Sequence, residues 1–312
     1  MKKPDFFVVG AAKSGTTSMY HYLKQHPDIF LPPVKEPVYF ASDIVEHAHR
    51  CRSYVRNFNQ EKYFSNKEFP DRHIIFIKKF EYYKKLYEQA EPEKVAGDMS
   101  ALYLFSKVAA ENIKNFNADA KIIILLRNPV DRAFSQYMMR IRDGKIMDRN
   151  FLKEVISDFE KREEDCKEYY IEQGLYSEQI ERYLNFFGEE RVRIFLFEDF
   201  ISNTKKVLSE IFAFLEVPDF PVDFSRVMNK SDLPKFPVLN SFLKGIKRRF
   251  NNFFPDKTPH FLKKIYDNFF MGKEKPKLSF EDRKYLLDYF REDIKKTEKL
   301  IGRDLSNWLL KD

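Results

Sequence analysis

Apolar positions alternate along the chain between short continuous runs and helical stripes. Asp5–Gly10 is a compact run of Phe and Val, which reads as a buried strand. A Gly/Ser/Thr turn follows, then a helix over Thr17–His26 with Met19, Tyr20 and Leu23 on one face. Residues 27–75, spotted with Pro, Asp and Asn, keep no clear period, and helices and loops covering a site are expected there. Lys94–Asp98 reads as a second strand and Lys107–Phe116 as a helix. Lys121–Leu126 (KIIILL) is apolar almost throughout, as a central parallel strand should be. Pro129 then opens a helix to about Arg142, since proline is tolerated at the first helical position. Leu175–Phe187 is an amphipathic helix, Arg191–Phe197 a strand and Thr204–Leu215 a helix. Ser279–Leu300 begins with the capping-box pattern SFED and keeps apolar residues at 286, 290, 294 and 301. Strands alternating with helices predict an α/β fold: three layers, P-loop-like, with a central and mostly parallel sheet flanked by helices.

Composition narrows this picture. The 312 residues suit one large domain or two small ones. Without an internal repeat or low-complexity linker, one domain over 1–312 is expected. Cys51 and Cys166 are the only cysteines, so one bridge is the most the chain can form, and a reducing, cytoplasmic setting is expected. No run approaches 18 apolar residues, so no membrane-spanning helix is expected, and FFVVG is too short for a signal-peptide core. The net charge of +7 is concentrated. Residues 241–277 hold ten Lys/Arg against Asp256, Asp267 and Glu274, which is +7 in itself, inside a helical, basic C-terminal part spanning 238–312.

The stretch GAAKSGTTS, directly after the first strand, has the outline of a phosphate-binding loop. Gly10 and Gly15 have the spacing of G-x-x-x-x-G-K-[ST], and Thr17 fills the hydroxyl position. The lysine is displaced, because Thr16 stands in its place and Lys13 lies earlier in the loop. A magnesium-dependent relative would carry an Asp at the end of a second strand. Here KIIILL runs into Arg127 instead. A shifted lysine, no metal carboxylate and an added arginine fit an anionic nucleotide handled without a metal. If a helix starts near Pro129, Arg127 and Ser135 can both reach one phosphate at the carboxyl edge of the sheet, with a forked guanidinium and a hydroxyl as donors.

With both loops in view, the sequence resembles the sulfotransferases that use 3′-phosphoadenosine 5′-phosphosulfate (PAPS), in the bacterial and heparan-sulfate-type branch. The two loop regions, 8–18 and 121–135, carry most of the likeness. KEPVYF (35–40), GDMSALY (97–103), GLYSEQIERYLNFFG (174–188), LFEDF (196–200) and LIGRDLSNW (300–308) support it, so it spans nearly the whole chain. The resemblance implies PAPS as donor, 3′,5′-ADP as product and no metal requirement. It implies that Lys13 reaches the oxygen bridging phosphorus and sulfur, while Ser14, Gly15, Thr16, Thr17 and Ser18 hold the 5′-phosphate. Arg127 and Ser135 would hold the 3′-phosphate. Glu36 matches the glutamate that takes the acceptor's proton in a K-E-x-x-x-F segment. Two departures stand out: Val38 where several members have histidine, and Met99 where some have lysine, which leaves Asp98 alone to place the acceptor. Asn229 and Lys235 resemble a cofactor-loop pair, and Lys244–Gly245 a Lys-Gly cofactor loop.

Rival readings remain open at this level. EHAHRC places His47, His49 and Cys51 at i, i+2 and i+4, but no second cluster completes a metal shell. Either histidine is an alternative base. A metal-independent kinase-like enzyme is disfavoured by Arg127, and a catalytically silent nucleotide-binding scaffold by the joint presence of Lys13 and Glu36. The acceptor is expected to be a small molecule, glycan or lipid, attacked through a hydroxyl or an amine. Segment 241–277, with phenylalanines among its cations, reads either as helices packed on the core with snorkelling lysines or as a surface for an anionic acceptor or membrane face. Nucleic acid is not expected, since no recognition motif accompanies the charge.

Overall fold

A computed structural model gives the structure of residues 2–92, 94–146, 150–225, 233–234, 271–272 and 278–310. The basic stretch 241–277 lies outside the described residues except for the main chain of 271–272, as do Asn229, Lys235 and Lys244–Gly245.

Five parallel strands form the central sheet: β1 (Phe6–Gly10), β2 (Ile29–Phe30), β5 (Val95–Asp98), β6 (Lys121–Leu126) and β7 (Val192–Leu196). Their order is β2-β5-β1-β6-β7. After β1 the chain builds β2 and β5 on one side, then β6 and β7 on the other, so the winding reverses between β1 and β6. Those strands pair Phe6 with Lys121 and Gly10 with Ile124, with an irregularity between Val8 and Gly10. Ligands of open α/β sheets bind at the carboxyl ends of strands flanking such a reversal.

Side chains on the central strands alternate between two cores, which explains the nearly unbroken apolar runs. Phe7, Val9, Ile122, Ile124 and Leu126 enter one layer. There they meet α6 (Ala109–Phe116), α7 (Pro129–Arg142), α9 (Ser177–Phe187) and a closing helix, Phe280–Ile301. Phe6, Val8, Ile123 and Leu125 face the other layer, made by α1 (Thr16–Leu23), α10 (Phe197–Ser202) and α11 (Thr204–Leu215). The closing helix starts as its sequence indicates: the Ser279 hydroxyl accepts from Asp282 N at 3.0 Å. It buries Leu286, Phe290 and Ile294. Its Asp293 carboxylate also caps α9, accepting from Tyr176 N at 2.6 Å and Ser177 N at 3.1 Å.

The stretch without a readable period contains a second small sheet. β3 (Val34–Glu36) pairs in parallel with β4 (Arg72–Ile74), Val34 opposite Arg72 and Glu36 opposite Ile74. Between them run α2 (Ser42–Cys51), α3 (Ser53–Arg56) and α4 (Gln60–Phe64). Cys51, at the end of α2, is bonded to Cys166, the single bridge that two cysteines allow. No helix among the described residues is long and apolar enough to cross a membrane.

Candidate active site

The glycine loop after β1 turns through two residues with positive φ, Lys13 at 72° and Gly15 at 91°. A side chain at Gly15 would be strained by that φ, and its Cβ would stand 3.0 Å from the Phe197 ring. Gly15 is also the N-cap of α1 and offers no side-chain cap. The first helical bond is Met19 N to Gly15 O at 3.1 Å, which leaves the N–H groups of Thr16, Thr17 and Ser18 without partners inside the helix. No acid sits in that first turn. Ser14 is 0% exposed, and its hydroxyl has no hydrogen-bond partner. Hydroxyls so buried are ordinarily paired. The loop therefore presents a buried oxygen and a helix N-terminus, both suited to an anion.

The second loop is fastened to the first. Arg127, just past β6, donates from Nη1 to the Lys13 carbonyl at 3.1 Å, and its guanidinium lies 4.7 Å from the centre of the Phe197 ring. Tyr176 OH donates to the Arg127 carbonyl at 2.8 Å. Burial pulls the Arg127 pKa down, with Asp131, Tyr176 and Glu198 opposing. Asn128 caps α7, accepting from Val130 N at 3.0 Å, while its amide donates to Trp308 O at 3.2 Å. Ser135 is half-buried further along α7.

Lys13 faces inward. Its Nζ lies 3.4 Å from Met139 Sδ on α7. Burial first, then Arg142 and Arg127, lower its pKa to about 8, while Asp143 and Glu36 hold it up. The Glu36 carboxylate is thus close enough to act on the Lys13 ammonium. Glu36, at the end of β3, is 7% exposed, and its Oε1 accepts from Lys35 Nζ. His73 on β4 places Nε2 3.7 Å from the same oxygen.

Asp98 is taken up by the hydroxyls around it. It is 0% exposed. Oδ1 accepts from Ser100 Oγ at 2.8 Å, and Oδ2 from Tyr103 at 2.9 Å and Tyr83 at 3.0 Å. Ser100 Oγ accepts in turn from Val38 N at 3.1 Å, and Tyr103 OH from Phe40 N at 3.4 Å. Asp98 is the hub of a hydroxyl cage that holds the backbone just after Glu36. Desolvation lifts its pKa to about 7 against the pull of those three bonds.

The histidine cluster disperses. His47 Nε2 lies 3.0 Å from Lys167 O, and its Nδ1 lies 3.4 Å from Arg50 Nη2. His49 Nε2 lies 3.3 Å from Phe76 O, and Cys51 is in the disulfide. Among the described residues no group of three or more His, Cys, Asp or Glu could hold a metal ion.

Lys13 and Ser14 share the glycine loop, Arg127 bonds to the Lys13 carbonyl, and Glu36 on β3 exerts an electrostatic pull on Lys13. Tyr176, Phe197 and Met139 escape a sequence reading because they arrive from distant helices, and His73 because its strand is three residues long.

A parallel α/β core with a glycine loop, a half-buried lysine and a buried glutamate on β3 suits an enzyme of the group-transfer type. The chain belongs to the sulfotransferase family, whose profile matches residues 4–221. A sulfotransferase crystal structure from Alicyclobacillus acidocaldarius superposes with a TM-score of 0.67 at 31% identity, covering 99% of both chains. The bifunctional heparan sulfate N-deacetylase/N-sulfotransferase 1 of Mus musculus is 25% identical over 99% of this chain and 31% of its own length. Human carbohydrate sulfotransferase 15 is 22% identical over 80% of this chain and 52% of its own. A membrane-associated sulfotransferase, kil1, of Dictyostelium discoideum is 30% identical over 45% of this chain and 23% of its own. The chain thus matches about a quarter to a half of the length of these curated relatives.

Proposed function

We propose that the protein transfers a sulfonyl group from PAPS to a hydroxyl or amine of a carbohydrate or lipid acceptor, with Glu36 as base and without a metal. The observation that carries this reading is the anion loop itself, whose Ser14 hydroxyl is buried and unpartnered and whose Lys13 lies against α7 within the electrostatic reach of Glu36. Bound PAPS supplies the electrophilic sulfur. Ser14 and the N–H groups of residues 15–18 would hold its 5′-phosphate, and Arg127 with Ser135 its 3′-phosphate. The attacking oxygen forms a bond to sulfur while the bond from sulfur to the bridging oxygen breaks. Glu36 takes the acceptor's proton. Lys13 donates to the bridging oxygen, where negative charge collects as 3′,5′-ADP departs. A sulfonyl group carries less charge than a phosphoryl group, and Arg127 stands where a metal carboxylate would otherwise be. The names of the heparan sulfate and carbohydrate relatives support a glycan acceptor.

Glu36→Gln tests the reading. It should leave PAPS affinity intact by calorimetry and lower turnover in EDTA by about 10²–10⁴-fold. Full activity in that variant, or a preference for Mg-ATP over PAPS in the parent, would overturn it.

A further inference from the structure

The Glu36 carboxylate has two nitrogen neighbours of different character. Lys35 Nζ bonds to Oε1 and is 3% exposed on its side chain. His73 Nε2 stands 3.7 Å from the same oxygen, yet 62% of its side chain is exposed. That separation is about 0.8 Å longer than an ordinary N–H···O bond, so a small side-chain shift or one bridging water closes it. Rotation about the last bond of Glu36 is soft and brings either oxygen to either neighbour. The β3–β4 pairing fixes the approach, since His73 lies between Arg72 and Ile74, which pair with Val34 and Glu36.

A base buried to 7% exposure must shed one proton per turnover, and its own path to water is narrow. We propose that His73 is a positioning residue for the reaction: it orients Glu36 and carries the abstracted proton out to solvent. This rests on Glu36 acting as the base. The proton passes from the acceptor O–H to Glu36, then to His73 Nε2, then to water, and no electrons change hands. An imidazole within reach of a carboxylic acid is a ready acceptor for its proton. The titratable groups that act electrostatically on His73 are Glu36 and Lys35 from β3, Lys13 from the loop and His21 from α1. Desolvation is the largest influence, and Lys35, Lys13 and His21 act in the same direction. All lower the imidazole pKa, while Glu36 raises it. At neutral pH the ring is therefore free to accept a proton.

Two readouts on the full chain test this. In histidine NMR titrations, with His73 assigned through His73→Gln, the His73 midpoint should move to lower pH in Glu36→Gln. An unchanged midpoint would show that the two side chains do not face one another, and would overturn the inference. PAPS turnover with water as acceptor, read as 3′,5′-ADP release, should fall by about tenfold in His73→Gln near pH 7. This is a smaller loss than removal of the base itself causes. The acid limb of its pH profile should move to lower pH, imidazole should restore part of the rate in His73→Ala, and calorimetric PAPS affinity should stay at the parental value. Parental rate and profile in His73→Gln, alongside an inactive Glu36→Gln, would refute the relay while leaving the base intact. If Glu36→Gln keeps full turnover, the base reading fails and the NMR arm still decides the pairing.

Discussion

Asp98→Asn removes a buried titrating carboxyl while nearly preserving side-chain shape. Asp98 is sealed from water and receives three hydroxyl bonds. Burial outweighs them, so its pKa stands at about 7 in the folded protein against 3.8 for the free side chain. Between those values the folded state keeps a proton that the unfolded chain has already lost. Stability from this group is therefore fully present below about pH 4 and is lost as pH rises through about 7. A gap of about three pH units, at 1.36 kcal/mol each, gives about 4 kcal/mol, a large share of the roughly 5–15 kcal/mol that holds a typical domain together. Asparagine does not titrate, so its effect divides into a constant and a slope. The constant reflects three hydroxyls turning to meet an amide and costs about 1–3 kcal/mol. The slope is the informative part. Urea melts at pH steps from 4 to 8 should show Asp98→Asn gaining on the parent by up to about 4 kcal/mol. Parallel curves for the two proteins would refute the argument that Asp98 is held neutral by burial.

Other predictions follow from the same geometry. Lys13, with its pKa near 8, should lose its charge above that pH, so PAPS affinity should weaken from pH 8 to 9.5 in the parent and stay flat in Lys13→Met, by calorimetry. Arg127→Ala should cost about 1.5–3 kcal/mol of donor binding and erase the preference for PAPS over adenosine 5′-phosphosulfate; a retained preference would place the 3′-phosphate contact elsewhere. The Cys51–Cys166 bridge spans 115 positions, and a loop of about 100 residues is worth about 4.7 kcal/mol on the loop-entropy model. Cys51→Ser should therefore melt well below the oxidised parent and close to the parent in dithiothreitol.

The parts of the fold legible in the sequence were those governed by local pattern. KIIILL needs two greasy faces and sits in mid-sheet. SFED starts a helix because its serine answers an N–H three residues on. The glycine loop and Arg127 were legible because strand ends put them at the same sheet edge. Glu36 was found by likeness to a family motif, whereas its strand, VKE, is too short to show alternation, as is RHI with His73. Asp98 looked like an acceptor contact, since nothing local reveals that Tyr83, Ser100 and Tyr103 close over it. Met139 beside Lys13 and Asp293 capping α9 depend on how helices lie against one another, which periodicity leaves free.

The Trp308 carbonyl that holds Asn128 gives the turn at 306–309 a remote duty. Asn128 must keep its side chain turned to cap α7, and one of its two ends is steadied from 180 positions downstream. The last turn therefore works like a latch on a hinge pin. Clipping residues 305–310 would leave the glycine loop untouched, yet let the start of α7 fray beside Arg127. Loss of that carbonyl would then show itself first as slack at the start of α7.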